Sequence, residues 1–471
     1  MAGSYWPVRY ANYLESPPLA VIVFRRRKTT VTMKKTFGHG GVHPPEYKEL
    51  TENLALEPAP IPGRITVPLA QNLGKPAKAL VQKGAEVRTG TPIGEADGYI
   101  SAPVHSPVTG KVTGIGREYT ASGALQDVVV IQPSEHQQQD FMPPLDPEAC
   151  TVEQLTGRVL QAGIVGQGGA AFPTFVKLTP PKTKKIDSLL INACECEPYL
   201  TRDYRLILDR TQELLSGTRI IMKILGLHNS CIGIEDNKPE AIRKLREATG
   251  NDPGIEIVPL RTKYPQGGEK MLIKAILGRE VPEGKLPMDI GSVVQNVGTA
   301  IAVHNAVVRG EPAISATLTV SGKGIRQPRN LIVPVGTSVQ DVLDFCGGVV
   351  EGAVRILIGG PMMGAAQHSL KAPVVKATSG ILVLTEGEIH TRAETPCLRC
   401  GRCVSVCPLH LTPTRLARLC RLGRFEEAEK LHITTCMECG TCAYDCPAHI
   451  PLVQWIRLGK QAVLRLQRAR N

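Results

Sequence analysis

Eight of the 14 cysteines stand in two dense groups near the C-terminus: Cys397, Cys400, Cys403 and Cys407 before Pro408, then Cys436, Cys439, Cys442 and Cys446 before Pro447. Three thiolates separated by two residues, a fourth after three more, and a proline form the spacing that wraps a [4Fe–4S] cubane. Gly401 and Gly440 inside the runs leave room for backbone N–H groups to approach the sulfides. Where two such runs occur together, the fourth cysteine of each crosses to the other cluster. That rule assigns Cys397, Cys400, Cys403 and Cys446 to one cluster, and Cys436, Cys439, Cys442 and Cys407 to the other. Zinc competes for Cys-x-x-Cys pairs, but it needs only four ligands and leaves a duplicated four-cysteine run unexplained. Cys420 falls on the apolar face of a helix with Leu416 and Leu419, where a thiol serves as a small buried hydrophobe.

A second region carries chemistry of another kind. Gly163, Gly166, Gly168 and Gly169 are spaced closely enough for backbone N–H groups to meet a phosphate with no bulky Cβ between. Glycine-rich turns also serve packing, so the loop gains meaning from Asn192-Ala193-Cys194-Glu195-Cys196-Glu197-Pro198, which closes an apolar strand at 189–192. Ligands of open α/β sheets bind at the carboxyl ends of strands, which is where polar readers of a cofactor belong. His39 and His43 are two imidazoles without a suitably spaced carboxylate pair, and a structural or interface role is expected for them.

The elements that must position these groups define a multidomain α/β chain. Residues 1–36 show no periodicity and read as an extension, with Met33 a better start than Met1. Residues 37–135 hold short β-rich runs at 64–68, 85–88, 99–102 and 111–115, punctuated by Gly and Pro, which predict a compact β-sandwich. The pieces around Gly84 and Gly110 resemble biotinyl and lipoyl hammerhead domains. Those domains offer a lysine at a hairpin tip; here the turn reads Asp97-Gly98 and Lys111 falls in the next strand, so no swinging arm is expected. From 150 to 310, strands at 189–192, 231–235 and 255–260 alternate with helices at 211–225 and 239–248, predicting a Rossmann-like, mostly parallel sheet. Residues 313–388 return to strands at 317–320, 331–335 and 355–358 around one helix at 338–345, a β-grasp-like unit of the SLBB kind. An α-helical two-cluster module of the ferredoxin type spans 390–452, and a basic helix closes the chain at 453–471.

The glycine loop and the acidic stretch together resemble the flavin- and NADH-binding subunit of respiratory complex I. The arrangement after about residue 37 resembles the RnfC family, a component of the Rnf ion-translocating complexes. His39-Gly40-Gly41-Val42-His43-Pro44-Pro45 and the doubled cysteine run carry that closer match, and the complex I protein has neither. A relative of the sodium-pumping quinone reductase would share the middle but lack the clusters. The resemblance implies that Gly166, Gly168, Lys177, Asn192, Tyr264, Gly267, Asn296 and Thr299 surround FMN. It implies that Phe172, Glu195, Glu197 and Glu269 receive NAD(H), with Phe172 stacking on the adenine. Cys194 stands where complex I has an aspartate, and Gly268 where it has the first of two glutamates.

Composition narrows the class further. With 55 Lys and Arg against 43 Asp and Glu the net charge is +12, which favours acidic partners, nucleic acid or anionic lipid without choosing among them, and which a basic solvated surface also explains. Aromatic residues make up 4% and no stretch interleaves them with basic ones, so nucleic acid is not an expected partner. No signal peptide is read, which places the cysteines in a reducing cytoplasm. No run approaches the ~20 apolar residues of a membrane span. The basic C-terminal helix reads as packed on the cluster module, or as a docking element on a membrane or an acidic partner. The family resemblance implies a translocase and oxidoreductase subunit. It would lie peripherally on the cytoplasmic face of the membrane and pass electrons among NAD(H), FMN and two [4Fe–4S] clusters. Its partners would be membrane-embedded and ferredoxin-like subunits. A cobalamin reductase of similar core would lack the amino-terminal β domain, and a zinc-bearing interaction protein is the alternative from another class.

Overall fold

A computed structural model describes residues 35–250, 252–389 and 392–470. The expected start at Met33 and most of the expected extension lie outside them. The chain divides into Met1–Met33 and Lys34–Asn471, and the second unit is described below.

The flavin-type sheet has four parallel strands in the order Ile255–Leu260, Ser230–Glu235, Ser188–Ala193, Ser292–Asn296. The two central strands, Ser188–Ala193 and Ser230–Glu235, are buried on both faces and read as nearly continuous apolar runs, which periodicity alone does not separate from a buried helix. The strand Ser292–Asn296 is not expected from the sequence, because it has only two apolar residues and runs directly into the helix Val297–His304. Helices Thr211–Leu225 and Val297–His304 pack directly on each other, and a Cβ at Gly217 would collide with the Ala300 carbonyl. After Ser188–Ala193 the chain adds two strands on one side and then returns to add Ser292–Asn296 on the other. The order therefore reverses between Ser188–Ala193 and Ser292–Asn296, and their carboxyl ends, Asn192 and Asn296, are register partners. That reversal is where a crevice opens in such sheets.

The amino-terminal β domain holds an antiparallel sheet of Ile65–Pro68, Leu125–Pro133, Gly110–Tyr119 and Glu86–Val87, with a second sheet of Lys78–Ala79, Pro92–Glu95 and Val104–His105. Ile65, Val67, Ile93, Val112 and Ile131 fill the core between them. The strand expected at 99–102 is a turn instead. Ser101 Oγ accepts from the Asp97 N–H and donates to the Lys75 carbonyl, and Pro103 delays the strand to Val104–His105. Lys111 lies in a strand and not at a tip.

The third unit is a six-stranded sheet in which Leu56–Pro58 from the N-terminal region pairs with Arg329–Pro334. Ser338 caps the helix Val339–Phe345 beneath it. In the cluster module, helices Pro413–Arg421 and Leu452–Arg470 pack around Leu416, Cys420, Ile433, Ile456 and Val463. Cys420 is 2% exposed, and a Cβ at Gly459 would collide with its Sγ. The C-terminal helix is thereby part of this core: Lys460 Nζ donates to the Cys436 carbonyl at 2.7 Å, and Arg470 pairs with Glu429 at 3.0 Å. Among the described residues no helix is long and apolar enough to cross a membrane.

Candidate functional site

Each cysteine run folds the same way. Arg399 and Glu438 adopt positive φ at equivalent places, and so do Gly401 and Gly440, each at the start of a short helix, Arg402–Ser405 and Thr441–Tyr444. This curl aims backbone N–H groups inward: Arg399 N donates to Cys397 Sγ and Glu438 N to Cys436 Sγ, both at 3.4 Å. The first bond lowers the Cys397 thiol below its usual range. Cys397, Cys400, Cys403 and Cys446 line one cavity of about 460 Å³, and Cys407, Cys436, Cys439 and Cys442 line another. The fourth cysteine of each run thus faces the other run's three. Among the described residues no three Cys, His, Asp or Glu side chains converge on a single point as one metal ion would require. Four thiols line each cavity, which is the ligand number a cubane takes.

The crevice at the sheet reversal is built from four pieces. Asn296 ends its strand and caps Val297–His304, its Oδ1 accepting from Gly298 N at 2.8 Å, while its Nδ2 donates to Asp203. A helix N-terminus at this place favours an anion. The glycine loop lies over it. Gln167 N donates to Thr299 Oγ1 at 3.0 Å, Gly166 N pairs with the Phe172 carbonyl, and the nearest atoms to a Cβ at Gly166 or Gly168 are 3.5 Å away. Gly169, with φ of 105°, has nothing within 4 Å, so the loop's upper backbone is open to a ligand. Arg202, fully buried, donates to the Gln167 carbonyl and to the Thr317 carbonyl, tying the loop to the third unit.

Asn192 Nδ2 donates to the Gly267 carbonyl at 2.8 Å, and any Cβ at Gly267 would collide with the Cys194 carbonyl. Lys177 Nζ donates to Glu269 Oε1 at 2.8 Å and to the Val294 carbonyl at 3.1 Å, which brings one residue expected at FMN and one expected at NAD(H) into contact. Glu269 begins the helix Glu269–Leu277. The N-terminus of the capped helix, the open glycine backbone above it and the ammonium of Lys177 form a donor set that fits a flavin mononucleotide.

Of the two loop glutamates, Glu195 has a positioning role. Its carboxylate accepts from Asp203 N at 2.8 Å and Tyr204 N at 3.3 Å, supplying the cap of Arg202–Asp209, and it is 7% exposed. Glu197 accepts from Met362 N and Met363 N, both at 3.0 Å, and from Tyr264 Oη at 3.4 Å; burial pushes it up to about 7. The single Tyr264 hydroxyl proton is shared, with the shorter bond going to the Cys439 carbonyl at 2.8 Å, so the Tyr264 loop expected at FMN reaches the second cysteine seat in one residue. Phe172 remains at the edge of the glycine loop, half-buried.

Sequence reasoning missed Lys48. Its ammonium, 7% exposed, donates to the carbonyls of Glu195, Glu197 and Leu200 at 2.9, 3.1 and 2.6 Å, and its burial depresses its pKa. The His39–Lys48 stretch as a whole is a strap. Gly41 N donates to the Val406 carbonyl, Val42 pairs with Tyr264, and Gly40 packs against the Cys407 backbone with no room for a Cβ. His39 stacks on His410 with ring centroids 4.1 Å apart, an interface contact and not a metal site. The available signal was the PPEYK charge following two histidines, but nothing local distinguishes it from a solvated turn.

Four family models match the chain in order. They are described as an RnfC barrel sandwich hybrid domain at 35–136, a Nuo51 FMN-binding domain at 159–305, an SLBB domain at 317–366 and a 4Fe-4S dicluster domain at 396–451. The component designated C of a proton-translocating ferredoxin:NAD(+) oxidoreductase complex from Clostridium ljungdahlii is 45% identical, covering 84% of this chain and 87% of its own length. The chain belongs to the RnfC family of ion-translocating oxidoreductase subunits. The corresponding component of a Na(+)-translocating complex from Acetobacterium woodii is 41% identical over 92% of this chain and 98% of its own. A Rhodobacter capsulatus member is 44% identical over 89% and 82%. This RnfC chain therefore combines an FMN-binding domain with a dicluster module behind an amino-terminal β domain at 35–136.

Proposed function

We propose that this chain passes electrons among NAD(H), FMN and two [4Fe–4S] clusters within an ion-translocating ferredoxin:NAD oxidoreductase complex, attached peripherally on the cytoplasmic face of the membrane. When bound, flavin exchanges a hydride with nicotinamide and single electrons with iron–sulfur clusters, a conversion no side chain performs. The chain's own residues do the rest. Gly166, Gly168, Asn296 and Thr299 would hold the phosphate end of FMN. Lys177 lies beside the crevice as a fixed cation, and Asn192 and Gly267 shape its floor. Glu197 and Glu269 are the carboxylates on the nucleotide side, with Phe172 offering a face for adenine. The observation that carries this reading is the Tyr264 bridge, which joins the Glu197 loop to the carbonyl of Cys439. It gives the flavin crevice and a cluster seat a shared wall.

The test separates the two halves of the crevice. Phe172→Ala raises the KM for NADH while FMN content stays near that of the parent, and Lys177→Ala loses FMN. Equal loss of FMN from both variants contradicts the division of the pocket.

A further inference from the structure

The two cysteine seats are alike in backbone and unlike in surroundings. The seat of Cys407, Cys436, Cys439 and Cys442 faces inward, against Tyr264, the strap at Gly40 and Met437, whose methyl approaches Gly268. The seat of Cys397, Cys400, Cys403 and Cys446 opens to solvent: Cys397 and Cys400 are exposed, and Leu398 on its rim is 66% exposed. Charge differs in the same sense. At the inner seat Glu438 occupies the position equivalent to Arg399 and is neutralised by Arg457 at 2.8 Å and Lys460 at 3.2 Å. At the outer seat Arg399, Arg415 and Arg418 line the cavity, Arg402 stands beside it, and all four are exposed. None of the four is ion-paired with a described residue. Residues 392–424 hold seven arginines, no lysine and one carboxylate, Glu394, which is already taken by Arg421 at 2.7 Å.

We propose that this arginine-rimmed face over the outer cysteine seat docks an acidic face of a one-electron carrier protein, a role that rests on the electron-transfer reading above. An unpaired set of guanidinium groups around an exposed leucine is the composition of a steered, short-lived interface: charge raises the encounter rate and orients the partner, while the small apolar centre excludes water on contact. The location decides between partners. Electrons move only between closely approached centres, so a carrier must reach the seat that solvent reaches, and a lipid surface laid over the same arginines would block it. Each encounter transfers one electron. Two carriers are reduced for each NADH that becomes NAD+ and a proton, or two are oxidised in the reverse direction.

The experiment uses the full holo-protein, matched for iron, sulfide and FMN, and an acidic two-cluster bacterial ferredoxin as the probe. Affinity is measured by calorimetry at low and at moderate salt. The parent binds and loses about tenfold or more between the two salts, as exposed charge pairs are screened. Arg402→Glu with Arg415→Glu loses about tenfold at low salt and flattens the salt dependence, and the milder Arg402→Gln with Arg415→Gln shows an intermediate loss. Charge reversal at Lys83 and Arg88, exposed in the amino-terminal domain, leaves affinity within twofold. Equal losses in the distant and the rim variants overturn the proposal in favour of net charge. Rim variants that bind ferredoxin normally but no longer bind phosphatidylglycerol vesicles overturn it in favour of a membrane surface. NADH oxidation by ferricyanide is read in parallel: ferredoxin binding without that activity refutes the electron-transfer reading, and activity without binding refutes only the docking face.

Discussion

Replacing Lys48 with methionine keeps the apolar stem of the side chain and removes its three hydrogen bonds to the carbonyls of Glu195, Glu197 and Leu200. Each buried carbonyl left unsatisfied costs about 1–2 kcal/mol, so three cost about 3–6 kcal/mol. Burial of the ammonium is itself unfavourable, as its depressed pKa records, and losing that charge returns part of the cost. The net penalty is about 2–3 kcal/mol, or about 30- to 150-fold in the opening equilibrium of the loop. It falls on the loop and not on the sheet, whose core is built from other residues. Amide hydrogen exchange on the FMN-loaded protein reads it directly: protection across 195–200 falls by about that factor while the central strands keep theirs. The KM for NADH rises with it. Unchanged exchange across 195–200 would refute the anchoring role, and a uniform loss over all strands would show that Lys48 supports global stability instead.

Three further outcomes follow from the same contacts. Cys446→Ser alters the electron paramagnetic resonance signal of the cluster seated by Cys397, Cys400 and Cys403; a change confined to the other signal contradicts the crossed arrangement. Glu197, raised by burial from 4.5 to about 7, adds a contribution to stability that is full below about pH 4.5 and is lost as pH rises through about 7, of order 3 kcal/mol. Glu197→Gln flattens the stability profile over that window, and an unchanged profile places the titration elsewhere. Gly459→Ala forces the C-terminal helix off Cys420 and destabilises the cluster module by about 1–3 kcal/mol, seen as faster release of iron on warming; an unaltered rate means that the helix shifts without strain.

The cysteine seats were the most legible part of the sequence, because a repeated spacing fixes backbone curl and ligand order together. The alternating strands and helices of the flavin domain were legible where Gly or Pro marks their ends, as at Pro239 and Gly226, and opaque where Ser292–Asn296 runs straight into Val297–His304. Positions within the crevice depended on the family resemblance, since a lone Asn192 or Lys177 has no local signature. The chemistry of Glu195 and Glu197 was the least legible: close in sequence and identical in type, one caps a helix and the other meets the Met362 loop. Only tertiary structure divides them. Lys48 and Arg202 escaped notice for the same reason, as both satisfy carbonyls far away in the chain. The C-terminal helix had two readings, and the contacts of Ile456, Val463 and Lys460 favour the packed one.

The central claim is that one chain seats a flavin and two cubanes in electronic contact. Anaerobically purified protein, assayed for iron, sulfide, zinc and FMN and then titrated with NADH under an absorption spectrometer, tests it most directly. About eight iron and eight sulfide per chain are expected. One FMN per chain is expected with them, its flavin peaks and the broad iron–sulfur absorbance bleaching together on addition of NADH. A colourless zinc protein, about four iron per chain, or a flavin that NADH bleaches while the cluster absorbance stays fixed would contradict it.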